Sequence, residues 1–239
     1  MSGPAAIPEI DWRDGDVPVS RRFADPYYAP GDGLAETRHV FLAGNRLAAR
    51  MAGARRFRIG ELGFGTGLNI LAAWALWRER AVPGAVLEAT SFELAPLPRA
   101  AMARALGRWP DLAPLAAALL PAFRPDAEIA LPGLRLTVVT GDARETLPRW
   151  GGTANAWFLD GFAPARNPEM WEAALLAAVH DRTVPGGTAA TYSAAGAVRR
   201  ALAAAGFETA RAPGFAAKRH MTLARRPVPP RPGPPPPGG

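Results

Sequence analysis

The sequence of 239 residues contains no cysteine. That absence excludes disulfides, thiolate metal sites and cysteine nucleophiles, and it fits a reducing compartment. Long apolar runs are also missing. The stretch 68–77 reaches only about half of the ~20 residues that a membrane helix requires, so no membrane partner is expected. Histidine is scarce, and His39, His180 and His220 show no ligand spacing on a helix, so no metal is expected. The start, Met1-Ser2-Gly3-Pro4, has no basic segment followed by an apolar core; no signal peptide is read there, and a cytoplasmic location is expected. Acid is in deficit: 28 Lys and Arg stand against 21 Asp and Glu, giving a net charge of +7. A basic surface suits a polyanionic partner such as nucleic acid without specifying one.

What is present reads as a folded domain, with 49% apolar and 21% charged residues. Residues 1–55 do not alternate strand and helix and are taken as an arm or lid packing on the main domain, with a helix over 36–51. From residue 57 the pattern alternates. Strands are predicted at 57–62, 87–93, 134–139, 156–159 and 188–192, with helices at 68–80, 97–106, 110–123, 168–181 and 196–205. The segments 207–211 and 219–224 predict a closing hairpin. The expected fold class is α/β: a mostly parallel, Rossmann-like sheet over 56–225 with a C-terminal antiparallel hairpin. The Pro- and Gly-dominated tail, 226–239, cannot bury enough apolar surface to fold and is expected to be disordered.

Four strand ends carry chemistry. The first is Glu61-Leu62-Gly63-Phe64-Gly65-Thr66-Gly67-Leu68-Asn69, a strand running through alternating glycines into a helix. Glycine allows close backbone approach to a ligand and positive φ. The spacing Gly-x-Gly-x-Gly departs from the dinucleotide fingerprint and leans toward S-adenosyl-L-methionine. The second is Glu93, an acid placed to accept the hydroxyls of a ribose. Asp142, after Gly141, is suited to the exocyclic amine of adenine, to capping the next helix, or to both. The fourth is Asp160 in Leu159-Asp160-Gly161-Phe162-Ala163-Pro164, with Phe162 as a pocket wall. This last segment resembles, in altered order, the Asp-Pro-Pro-aromatic motif of amino-methyltransferases. Trp74 and Trp77 are read as packing residues, and Arg55, Arg56 and Arg58 as a solvated rim as readily as a phosphate contact.

Taken together, these residues resemble the methyltransferase domain of the bacterial MnmC bifunctional tRNA-modifying enzymes and their single-domain MnmD relatives. The resemblance runs from about residue 12 to 223, and its most specific stretch is Phe158-Leu159-Asp160-Gly161-Phe162-Ala163-Pro164-Ala165-Arg166-Asn167-Pro168. It implies a class I methyltransferase that uses S-adenosyl-L-methionine to methylate the 5-aminomethyl group of (2-thio)uridine at the tRNA wobble position. By the same resemblance Glu61, Gly63, Gly65, Gly67, Asn69, Glu93 and Asp142 would hold the cofactor and Asp160 would hold the amine. Phe162, Pro164, Arg166, Lys218 and Arg219 would meet the tRNA substrate. MnmC also carries an FAD-dependent oxidoreductase domain. No second Gly-rich βαβ unit occurs here, so that activity is expected from a separate or fused partner. The sequence departs from the family pattern at Ala216, where glycine is expected. Methylation of another amine, a nucleotide-dependent oxidoreductase and a non-catalytic RNA-binding module are the competing readings.

Overall fold

The computed structural model describes residues 7–13 and 15–229. The disordered tail expected for 226–239 therefore lies, from residue 230 onward, outside the described residues. Before it the chain is anchored: Arg226 N donates to Gly187 O at 2.8 Å.

Three short strands open the fold as a small antiparallel sheet: β1 (Ile10–Arg13), β2 (Val17–Ser20) and β3 (Asp25–Pro26). Next come α1 (Gly33–Thr37), a π-helical turn (Arg38–Ala43) and α2 (Leu47–Met51). The main domain alternates: β4 (Arg56–Leu62), α3 (Leu68–Arg80), β5 (Val86–Glu93), α4 (Arg99–Leu106), α5 (Ala113–Ala122), β6 (Glu128–Leu131), β7 (Leu134–Thr140) and α6 (Ala143–Arg149). It continues with β8 (Ala154–Leu159), α7 (Ala173–Asp181), β9 (Thr183–Thr191), α8 (Gly196–Ala204), β10 (Glu208–Pro213) and β11 (His220–Arg225).

The large sheet has the order β10-β11-β9-β8-β4-β5-β7-β6. The run β9-β8-β4-β5-β7 is parallel, and β6, β10 and β11 are antiparallel additions. The central strands β4 and β8 are buried almost along their whole length, as a sheet covered on both faces demands. One face packs α3, α4 and α5 around Trp74, Trp77 and Met102; the other packs α6, α7 and α8 around Trp157, Leu176 and Leu202. Each such large apolar side chain contributes roughly 1.5–3 kcal/mol by leaving water. Trp74 and Trp77 are thus core residues. Chain order reverses between β4 and β8, since β5 and β7 lie on one side of β4 and β8 and β9 on the other. That reversal opens a crevice at the C-terminal strand ends, where open α/β sheets bind ligands.

Several local expectations need correction. The helix expected over 36–51 widens into the π-turn and breaks at Arg46, whose φ is +54. The break lets the buried Asn45 reach the sheet, donating to Trp157 O at 3.2 Å and accepting from Thr188 Oγ1 at 2.6 Å. The helix expected over 168–181 is a 3-10 turn, Pro168–Trp171, an extended Glu172 and then α7. Trp171 Nε1 donates to Phe162 O at 2.9 Å, and that bond pins the turn to the loop after β8. The strand expected over 188–192 begins earlier, at Thr183, taking in Pro185-Gly186-Gly187 as an irregularity. Strand β6 was not anticipated; it folds back on β7 through Pro132 and Gly133, the latter at φ +78.

Candidate active site

The crevice is built by bringing the ends of β5, β4 and β8 side by side. Gly63 N donates to Phe92 O at 2.9 Å, and Asp160 N donates to Leu62 O at 3.1 Å. Gly63 has φ +87, and a Cβ there would stand 2.5 Å from Asp160 O. Only glycine therefore permits this approach of the two strand ends. Above them lies a cavity of about 420 Å³ whose wall includes Gly63, Gly65, Asn69, Glu93, Asp142, Asp160 and Phe162.

Asn69 organises the floor. Its Nδ2 donates to Asp160 Oδ2 at 2.6 Å and to Glu61 Oε1 at 3.2 Å, and its Oδ1 accepts from Thr37 Oγ1 at 2.7 Å. Asp160 opens only into the cavity, and its burial raises its pKa to about 7, with Glu36 adding to the rise while Asn69 and Lys218 oppose it. Glu61 is wholly buried, and burial holds its pKa well above the usual carboxylate range. Its Oε2 and the neighbouring buried Ser91 Oγ have no hydrogen-bond partner among the described residues. Glu93 binds the glycine loop itself, accepting from Gly65 N and Ala95 N at 3.0 Å each. Its pKa is raised by burial against the pull of those backbone donors. Asp142 caps α6 by accepting from Arg144 N at 2.9 Å, and its ion pair with the Arg144 guanidinium lowers its pKa.

The N-terminal segment closes one side. Asp25 Oδ2 accepts from Ala163 N at 2.9 Å, tying the arm to the loop after β8. Phe23 and Tyr27 meet the Phe162 ring with centroids 4.8 and 5.1 Å away. Opposite, Tyr192 Oη donates to Gly161 O at 2.7 Å, and Lys218 reaches in from the turn between β10 and β11 to Glu36 Oε1 at 2.7 Å.

Of the residues singled out from the sequence, Glu61, Gly67, Pro164, Arg166 and Arg219 do not line the cavity. Glu61 stands behind the wall and Gly67 starts α3, while Arg166 and Arg219 are exposed near the rim segments. Lys218, expected at the tRNA, points to Glu36 inside the cavity. Sequence reasoning missed Asp25, Glu36, Thr37, Arg144 and Tyr192. Glu36 and Thr37 fell inside a stretch read only as part of the arm that closes the pocket, with no role of their own, and Tyr192 carried only the signal of ending an expected strand.

A family profile described as S-adenosyl-L-methionine-dependent methyltransferase matches residues 115–227. The chain is 49% identical over 94% of its length to the tRNA 5-methylaminomethyl-2-thiouridine biosynthesis bifunctional protein MnmC of Caulobacter vibrioides, and it spans 39% of that relative. It is 48% identical over 89% of its length to the protein of the same name from Pseudomonas paraeruginosa, spanning 34% of it. Among solved structures, MnmC2 from Aquifex aeolicus superposes with a TM-score of 0.73 at 27% identity, covering 93% of this chain and 72% of that one. The chain thus resembles S-adenosyl-L-methionine-dependent methyltransferases over residues 115–227 and MnmC proteins along most of its length. TrmN from Thermus thermophilus, with a TM-score of 0.50 at 17% identity, covers 87% of this chain and 53% of its own, and bears on the fold alone.

The residues of the cavity fit S-adenosyl-L-methionine. Glycines 63 and 65 form a cradle that a side chain would fill, since a Cβ at Gly65 would come 3.2 Å from the Tyr27 ring. Glu93 would be placed to accept ribose hydroxyls, and Asp142, beside the apolar Phe92, Leu94 and Ala143, an adenine amine.

Proposed function

We propose that this methyltransferase acts on tRNA, converting the 5-aminomethyl group of a (2-thio)uridine at the wobble position into 5-methylaminomethyl. The observation that carries the reading is Asp160, a half-buried carboxylate opening into the cavity beside the glycine cradle, in a chain whose relatives are named for tRNA 5-methylaminomethyl-2-thiouridine biosynthesis. When bound, S-adenosyl-L-methionine supplies a methyl group on a sulfonium, an electrophile for an amine.

The protein's part is to present the amine. A primary alkylammonium has a pKa of about 10 in water, and only its neutral form has a free lone pair. Asp160 as a carboxylate would accept an N–H of the amine, aim the lone pair, and stabilise the positive charge that nitrogen gains as the N–C bond forms and the methyl–sulfur bond breaks to leave a neutral thioether. The surplus proton then leaves for Asp160 or water. Because a carboxylate also raises an amine's pKa, positioning and electrostatics outweigh base strength here. Phe23, Tyr27 and Phe162 offer a stacking wall to an everted base. Arg166 and Arg219 are the phosphate contacts we favour, being exposed and outside the cavity.

The proposed partners are tRNA and a separate or fused FAD-dependent oxidoreductase that supplies the aminomethyl substrate, and the proposed location is the cytoplasm. Among the described residues no helix is long and apolar enough to cross a membrane.

The test is incubation with methyl-labelled S-adenosyl-L-methionine and tRNA bearing the aminomethyl nucleoside, followed by digestion. Label in 5-methylaminomethyl-(2-thio)uridine is expected. Label in another nucleoside, in protein or in a small amine alone overturns the reading. Asp160→Ala should cost at least about a hundredfold in kcat while cofactor affinity changes little.

A further inference from the structure

Asp160 and Glu36 are two of the six carboxylates that line the cavity, which holds a single ammonium, that of Lys218. Asp160 itself has only a neutral donor within hydrogen-bonding distance, Asn69 Nδ2 at 2.6 Å, among the described residues. The ammonium is held from two sides: Glu36 Oε1 lies 2.7 Å from Nζ, and the Tyr192 ring centroid lies 4.0 Å from it. Tyr192 is itself fixed to the peptide next to Asp160 through Gly161 O. The cavity's other cations are committed elsewhere, Arg144 to Asp142 and Glu172, and Arg22 over the Phe23 ring. Lys218 is also the only lysine in a sequence whose remaining non-histidine basic residues are all arginine. A compact ammonium can sit on one carboxylate oxygen and one aromatic face, where a guanidinium would fork and spread its charge.

We propose that Lys218 is a positioning residue that keeps Asp160 ionised near neutral pH, its ammonium balancing Glu36, a neighbouring carboxylate of the same cavity. Two carboxylates sharing a site resist ionising together, and a nearby cation offsets that resistance. The charged and titratable groups around Asp160 are Glu61 behind Asn69, Glu36 on α1, Lys218 on the β10–β11 turn, Tyr192 after β9, and Asp25 on β3. Of these only Lys218 is cationic. The consequence for catalysis rests on the role of Asp160 proposed above; the effect on its ionisation does not.

Carboxyl ¹³C NMR titration of the ligand-free protein reads the ionisation directly. In Lys218→Met the Asp160 midpoint is expected to rise by about one pH unit, and in Lys218→Arg to return most of the way. Methyl transfer by Lys218→Met, followed against pH, should show its acid limb displaced upward by the same amount, with tRNA affinity unchanged. Lys218 is on an exposed turn, so the fold should tolerate both variants. An Asp160 midpoint that does not move, or a defect confined to tRNA affinity as a phosphate contact would give, overturns the proposal. A midpoint that moves in a protein unable to methylate tRNA supports it and counts instead against the proposed substrate.

Discussion

Asp160 opposes folding in order to serve the site. Its pKa of about 7 in the folded protein lies above the ordinary 3.8, so the folded state binds that proton more tightly than the unfolded chain does. Stability from this group is full below about pH 4 and is lost as pH rises through about 7. Asp160→Asn, which cannot ionise, should therefore resist denaturant better than wild type at pH 8, by about 1–2 kcal/mol, the full shift being discounted because Asp160 faces the open cavity. Urea unfolding at pH 8 and pH 4 checks the sign: an Asn variant equal to or weaker than wild type at pH 8 would contradict the burial argument. The candidate nature of Asp160 was legible, because a strand-end Asp before Gly-Phe-Ala-Pro is a local pattern. The supporting role of Glu61 was not. Whether an acid at the end of a strand meets a ligand or only its neighbours depends on which way the strand faces, and Glu61 faces inward.

At the scale of elements, the decisive feature is how β4 and β8 end. A methyl group added at Gly63 would meet the backbone carbonyl of Asp160, and no rotamer change can relieve that clash. Gly63→Ala should cost about 2–4 kcal/mol and weaken S-adenosyl-L-methionine binding at least tenfold, since the strand ends must part. Thermal melting and titration calorimetry read the two effects, and an Ala variant with normal cofactor affinity would remove the glycine from the cradle. The turn between β10 and β11 gives the converse case. Ala216 has φ +48, a left-handed conformation that favours glycine, so the family's expected Gly at this position has a backbone reason, and alanine costs about 1 kcal/mol there. The 36–51 segment shows where element reading fails. Its apolar spacing suits a helix, yet tertiary hydrogen bonds that Asn45 donates to Trp157 and accepts from Thr188 select a widened, interrupted one.

For the whole molecule, the net charge of +7 bears on how a polyanion would be met. If tRNA is the substrate, binding should weaken steeply with salt, with a log–log slope of about −0.7 for each phosphate contact, or about −3 for a handful of them. Filter binding between 50 and 300 mM salt gives the slope, and a flat response would exclude a backbone-led interface. Arg166→Ala and Arg219→Ala should each reduce that slope by about 0.7 while leaving cofactor affinity alone.

The sequence by itself determined the βα alternation, the glycine bend after β4 and the acids at the ends of β5, β7 and β8. Each is written in neighbouring residues, through hydrophobic period, positive-φ tolerance and turn chemistry. Only the tertiary structure decided that β8 lies beside β4, so that Asp160 meets Gly63. It alone brought Lys218 to Glu36 across 182 residues of chain and Asp25 to Ala163 across 138. Burial and charge coupling arise from what surrounds a side chain in space, so no local pattern encodes them.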